Sequence, residues 1–202
     1  MRKLLLIGVL ILRLISWPAD ALIARGAPLS FGQSPKVANL FFRWDITESE
    51  AKKLAQWDIL IIDMEVQHYS PDSLRLIKQY NPDIKLLAYL AAQEVRGDSG
   101  ELHGTLRKIL YRQIEPQWWL RDTAGNQVAW WPTNPMINVS PVSPTANGKR
   151  FYDVYPWFIK NELMSSGLWD GVFFDNTWED ISFMYDFNID LNQDGVRESK
   201  ND

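Results

Sequence analysis

Short continuous apolar runs alternate along the chain with stretches whose apolar positions recur at helical spacing. Val37 to Trp44 is rich in β-branched and aromatic residues and reads as a strand. Thr47 then offers a helix cap, and Glu50 completes a capping box. Asp58-Ile59-Leu60-Ile61-Ile62-Asp63 is a second strand whose unbroken apolar run predicts burial on both faces. Ser70 caps the next helix, with Pro71 in its first turn, and that helix ends near Asn81-Pro82. Ile84 to Ala92 is a third buried strand. A third helix is expected over about 103–115 and a fourth from Tyr152 to Ser165, and Gly171-Val172-Phe173-Phe174-Asp175 is a fourth strand.

Strands alternating with amphipathic helices imply a parallel sheet with right-handed crossovers. A barrel and an open doubly wound sheet both fit. No Gly-rich phosphate turn follows the first strand. Instead each strand ends in acidic or polar residues, the habit of barrels, which place function at the carboxyl ends of their strands. The predicted fold is α/β: about four β/α units, the N-terminal portion of a parallel (β/α)8 TIM-type barrel, over residues 37–202. A complete barrel takes roughly 250 residues, so the chain is expected to be a fragment. One stretch breaks the rhythm. Trp118 to Asp122 and Gln127 to Trp131 flank Thr123-Ala124-Gly125-Asn126 and predict an inserted β-hairpin over about 117–132. A Pro- and Asn-rich loop follows.

The first 36 residues stand apart. Met1-Arg2-Lys3 is basic, Leu4 to Leu12 is apolar, and Ala19-Asp20-Ala21 is a small-x-small cleavage pattern. Residues 1–21 therefore read as a signal peptide and 22–36 as a linker. A membrane-surface anchor or a mis-called start is the alternative. The apolar run falls short of the roughly 20 residues of a span. The expected location is secreted, periplasmic or cell-envelope, with no stable membrane span once the leader is cleaved.

Composition narrows the chemistry. There is no cysteine, so disulfides, thiol catalysis and thiolate metal sites are excluded. The net charge of -4 and the lack of a basic run argue against nucleic acid as a partner. Ten Trp, seven Tyr and nine Phe suit a large core or a surface that stacks flat ligands.

The strand ends carry Asp63, Glu65, Glu94 and Asp175, with Arg43, Asp45, Gln93, Arg96 and Asn176 beside them. On one barrel rim these would converge. Glycoside hydrolysis needs such a pair: one carboxyl protonates the leaving oxygen, another acts as base or nucleophile. Clustered carboxylates also raise one another's pKa, which supplies an acid at neutral pH. Asp175, Glu94 and Asp63 are the catalytic candidates, with acid and base unassigned. The rival reading is that such residues cap helices or pair with arginines, as Arg96 could with Glu94. His68 and His103 show no metal-ligand spacing and read as surface residues.

Three segments carry a resemblance. They are Tyr89-Leu90-Ala91-Ala92-Gln93-Glu94-Val95-Arg96, Trp119-Leu120-Arg121-Asp122 with Gly125-Asn126, and Trp169-Asp170-Gly171-Val172-Phe173-Phe174-Asp175-Asn176. In this order they resemble the hypothetical glycosyl hydrolase family 15, and more loosely the endo-α-1,4-polygalactosaminidase-like barrels. The resemblance implies a polysaccharide-cleaving barrel. It maps a role onto Asp175 and, less directly, onto Asp63 and Glu94.

Substrate contacts are expected from Trp44, Arg96, Trp119, Trp131, Asn176 and Trp178. In each tandem Trp pair, strand alternation should send one ring inward and leave the other available. Asp190-Leu191-Asn192-Gln193-Asp194-Gly195 matches the opening of a calcium loop over about 190–201. Asp190, Asn192, Asp194, the Val196 carbonyl and Glu198 are the expected ligands of a Ca2+ ion. The twelfth position is Asn201 rather than Glu, and a solvated turn is the alternative. No cofactor is expected to be needed for catalysis. The expected function is extracytoplasmic glycoside hydrolysis of a polysaccharide or oligosaccharide. The alternative is a non-catalytic carbohydrate-binding or cell-envelope protein on the same scaffold.

Overall fold

The computed structural model describes residues 35–103, 105–179, 181 and 188–198. The leader expected at 1–21 and the linker up to residue 34 lie outside the described residues.

Four strands form one sheet: β1 (Ala38–Phe41), β2 (Ile59–Asp63), β3 (Lys85–Ala91) and β7 (Gly171–Asp175). They lie in the order β1-β2-β3-β7, and every neighbouring pair is parallel. The register Asp63–Tyr89–Phe173 brings the carboxyl ends level. The helices are α1 (Glu48–Leu54), α2 (Val66–Tyr69), α3 (Pro71–Tyr80), α4 (Leu106–Tyr111) and α5 (Phe151–Phe158).

Local signals explain the helix starts. Thr47 accepts the Glu50 N–H while Glu50 returns to the Thr47 N–H, the expected capping box. Thr47→Ala is expected to cost about 1 kcal/mol in chemical denaturation, the usual value of a lost cap. Ser70, expected to cap α3, instead accepts the Ile46 N–H, so α3 starts on Pro71 without a side-chain cap. Thr105 caps α4 through the Lys108 N–H. That helix is shorter than expected. α5 contains Pro156, which has no N–H to give the preceding turn. Past it the chain widens into a π-turn (Ile159–Leu163) and then a 3-10 turn (Met164–Ser166). Gly167, at φ 68°, ends the helical stretch in a left-handed conformation that favours glycine.

The two faces of the sheet differ. Leu60, Ile62, Leu86, Ala88 and Leu90 meet Leu54, Leu74, Ile77, Leu110 and Phe158 in one buried core. The five strand residues are apolar and alternate along their strands, so the helices cover this face. On the other face Tyr89 and Phe173 are half-buried and stack at 6.1 Å, and Phe42 meets Tyr89 edge-on at 4.8 Å. β2, whose apolar run predicted burial on both faces, is buried from Leu60 to Asp63, whereas β3 buries one face fully and leaves the other partly open.

The inserted hairpin is rearranged. Its arms touch through the Arg121–Gln127 bridge and the Val128 N–H to Leu120 carbonyl bond. Their ladders form elsewhere. β4 (Arg121–Asp122) pairs antiparallel with β8 (Ile189–Asp190), and β5 (Ala129–Trp131) with β6 (Asn134–Pro135). Leu120, Val128, Met136 and Ile189 form a second small core beneath them. Trp118 is buried, whereas Trp119 is half-buried; Trp130 packs on the small core, whereas Trp131 is 56% exposed. The alternation expected of each pair holds.

Candidate active site

Parallel pairing brings the ends of β2, β3 and β7 to one rim. Asp63 ends β2, and both its oxygens are taken by Arg107 of α4, at 2.8 and 2.7 Å. Glu65, fully buried, accepts the Leu106 and Arg107 N–H groups at 3.1 and 2.7 Å. It therefore anchors the first turn of α4 while the Arg107 side chain returns to Asp63. Burial alone would lower the Arg107 pKa. The Asp63 and Glu65 carboxylates outweigh it and hold the guanidinium above its ordinary value. Burial pushes Glu65 up, opposed by Arg107 and the two helix N–H groups. Asp63 is thus committed to a buried ion pair, and the geometry gives it no free oxygen for catalysis.

Asp175 ends β7. It accepts the Tyr89 hydroxyl at 2.5 Å on Oδ2 and the Asn176 N–H at 2.8 Å on Oδ1. Asn176 also donates its side-chain amide to Glu94 Oε1 at 3.0 Å, so one residue spans both carboxylates. It does so at φ 56°, a left-handed conformation uncommon outside glycine. Glu94 follows β3 and is 8% exposed. Its Oε2 is buried, and no donor meets it in hydrogen-bond geometry among the described residues. Burial pushes the Glu94 pKa up and the Asp175 charge adds to it; the Asn134 and Asn176 amides pull the other way without cancelling it. Burial, with the Asp175 hydrogen bond and the charges of Asp175, Glu94 and Asp63, pushes the Tyr89 phenol well above its ordinary value. Tyr89 is therefore a hydrogen-bond donor at any physiological pH.

Glu94, Tyr89, Met64, Arg107 and Tyr155 line a cleft of about 440 Å3. Asp175 is joined to it through Tyr89. Tyr155 of α5 donates its hydroxyl to the Ala91 carbonyl and so ties that helix to the end of β3.

Of the other expected contacts, Arg96 lines the same cleft and Asn176 bridges its carboxylates, whereas Trp119, Trp131 and Trp178 lie elsewhere. Arg96 pairs with Asp98 at 2.6 Å rather than with Glu94. Trp44 is stacked on Tyr69 at 5.3 Å, with the Arg96 and Arg107 guanidinium groups each 5.4 Å from its ring. Trp178 meets Trp130 edge-on at 4.6 Å, next to an apolar groove that also includes Phe174 and Tyr152. Trp131 lies out on β5, and Trp119 borders a separate groove. His68 and His103 are exposed, as expected.

In the 190–198 loop, Asp190 accepts the Asp194 and Gly195 N–H groups, Asp194 accepts the Val196 N–H, and Glu198 accepts the Leu191 N–H. Asn192 donates to Asp194 Oδ2. Among the described residues no three His, Cys, Asp or Glu side chains gather as a metal cluster. The loop is held against the hairpin by β4–β8 pairing and by Gln193 donating to the Gln117 and Trp119 carbonyls.

Arg107 and Tyr89 were given no role in the sequence, and Glu65 was named at its strand end without one. Arg107 looks like any basic residue on an amphipathic helix. Tyr89 had one available signal: it alternates with Leu86, Ala88 and Leu90 and so faces away from the helices.

These features define a parallel α/β protein with a carboxylate-bearing cleft at the carboxyl ends of its strands. The model of hypothetical glycosyl hydrolase family 15 matches residues 78–202. The chain belongs to that family. The matched residues include Tyr89, Glu94, Arg107, Asp175 and Asn176 and exclude Trp44 and Asp63. A search of the curated proteins finds no match.

Proposed function

We propose that the protein is a glycoside hydrolase acting on a polysaccharide, with Glu94 as general acid and Asp175 as base or nucleophile. The observation that carries this is the Glu94–Asn176–Asp175 bridge, which holds two carboxylates of unlike environment at one rim. Glu94, buried and raised, keeps its proton to higher pH and gives it to the leaving glycosidic oxygen as the C–O bond breaks. Asp175 accepts one hydrogen bond on each oxygen, which leaves a further lone pair on each. It attacks the sugar carbon or takes a proton from the attacking water. Tyr89 positions Asp175 and reaches into the cleft. No metal enters these steps.

The scaffold proposed is part of a (β/α)8 barrel. It is supported by four parallel strands in chain order with no reversal, and by helices that, among the described residues, cover one face. Closing such a barrel takes strands beyond these four. Export is proposed from the leader pattern alone. No helix among the described residues is long and apolar enough to cross a membrane.

The test is release of reducing ends from a panel of plant, fungal and bacterial polysaccharides. The full chain should cleave at least one, and Asp175→Asn should lower the rate by about a thousandfold or more, as expected for a group acting on the reacting atoms. Equal rates would remove Asp175 from the mechanism.

A further inference from the structure

Next to the catalytic cleft lies a second groove of about 650 Å3, bordered by Tyr111, Pro116, Trp119, Arg121 and Gln127. Both cavities reach the same two residues, Gly97 and Thr133. A Cβ at Gly97 would stand 1.9 Å from the Thr133 carbonyl oxygen. The two backbones are thus in direct contact there, and residue 97 puts no side chain between cleft and groove. The Thr133 hydroxyl turns to Asn134.

The groove has the lining of a sugar site. Tyr111 and Trp119 are half-buried with ring centroids 5.9 Å apart and planes tilted by 49°, so they offer two flat faces at an angle. Gln127 is exposed on the opposite arm of the hairpin and offers both a donor and an acceptor. Pyranose rings present C–H faces to aromatic rings and hydroxyls to polar edges, and this groove supplies both kinds of partner. Its floor is rigid. Trp119 packs on the main core, and its carbonyl is held by Gln193 from the 190–198 loop. The Arg121 guanidinium is fixed on the Gly125 and Pro116 carbonyls. A site fixed before binding loses little ordering entropy when it is filled.

We infer that this groove is a distal saccharide subsite of the catalytic cleft, so that one polysaccharide chain crosses the Gly97–Thr133 contact and occupies both. The inference rests on the hydrolase reading for the cleft. It adds that the ligand is a polymer held along its length and that cleavage is internal to it. It also gives the hairpin and the 190–198 loop a shared role, because together they build and brace the subsite wall.

The test uses calorimetry on the full chain carrying Asp175→Asn, to prevent turnover. The probes are disaccharides and hexasaccharides of β-1,4-glucan, α-1,4-glucan, xylan and galactan. In at least one series the hexasaccharide should bind about tenfold or more tighter than the disaccharide. Trp119→Leu and Tyr111→Leu, added singly, keep apolar bulk but remove the flat faces, and each should bring that ratio to within about twofold. Trp119→Ala is avoided because the ring also packs on the core. Equal affinity for short and long probes, or a length advantage that survives both variants, would overturn the subsite. Cleavage by the parent chain is measured on the same probes. Cleavage with length-independent binding sinks the subsite and spares the hydrolase reading. Length-dependent binding lost in both variants, with no cleavage anywhere, does the reverse. No binding and no cleavage sinks both.

Discussion

Arg107→Met is expected to cost about 3–5 kcal/mol of folding stability at neutral pH, the range for breaking a buried ion pair from one side. The Arg107 side chain is 13% exposed, Asp63 8% and Glu65 0%. Methionine fills much of the same volume, so the loss is electrostatic rather than a cavity effect. It strands two carboxylates that are 8% and 0% exposed, where little water can replace the guanidinium. Each must then be protonated or remain as an uncompensated charge. The deficit should therefore shrink as pH falls towards the ordinary carboxylate range of about 4, where protonation removes the unpaired charge. Adding Asp63→Asn to the variant should recover part of the loss. Urea denaturation of the three proteins at neutral and acid pH measures all of this. A cost within about 1 kcal/mol, the value of an exposed pair, would show that the cluster is solvated and does not hold α4 on the rim.

Glu94→Gln carries a large expected effect on rate, with an opposite effect on stability. Glutamine keeps the Asn176 contact but has no proton to give. Turnover of a natural glycosidic bond should fall about 10^2–10^4-fold, the usual contribution of a general acid. In the parent, the alkaline limb of the rate profile should lie above the ordinary glutamate range, because burial and the Asp175 charge keep Glu94 protonated to higher pH. The same shift sets the stability. Between the unfolded pKa and the raised folded one, the native state binds more protons than the unfolded chain, so stability falls as pH rises through that window. Glu94→Gln removes this loss. The variant should melt higher than the parent above the window and at a matching temperature below it. A variant that is slower and also less stable at neutral pH would mean that the Glu94 carboxylate is structural.

Where the sequence could be read, the deciding signals were local. The fourth strand, Gly171 to Asp175, has the expected bounds because an apolar run is closed by a charge at one end and a glycine at the other. The Thr47 capping box needs only residues three apart. Glu94 and Asp175 were legible as candidates because parallel strands send their carboxyl ends to one rim. The failures are cases where a partner that only the folded chain brings into place decides. Asp63 was a catalytic candidate until α4 brought Arg107 across from 44 residues away. Arg96 turned to Asp98, a nearer carboxylate than Glu94 in the folded loop. The hairpin arms contain good strand formers, but partners at 134–135 and 189–190 outcompeted their mutual ladder. Trp44 had the right ring for a sugar, yet two guanidinium groups and Tyr69 occupy its surroundings.

The central claim is the division of labour between Glu94 and Asp175, and leaving-group dependence tests it most directly. Glycosides of the cleaved sugar are compared, one with an activated nitrophenyl leaving group and one with an ordinary alcohol. A nitrophenolate departs without protonation, so Glu94→Gln should retain most of the parent rate on the first and lose it on the second. Asp175→Asn should lose both, because attack at the sugar carbon fails whatever departs. Equal losses on both glycosides in Glu94→Gln, or retained cleavage of either in Asp175→Asn, would contradict the assignment.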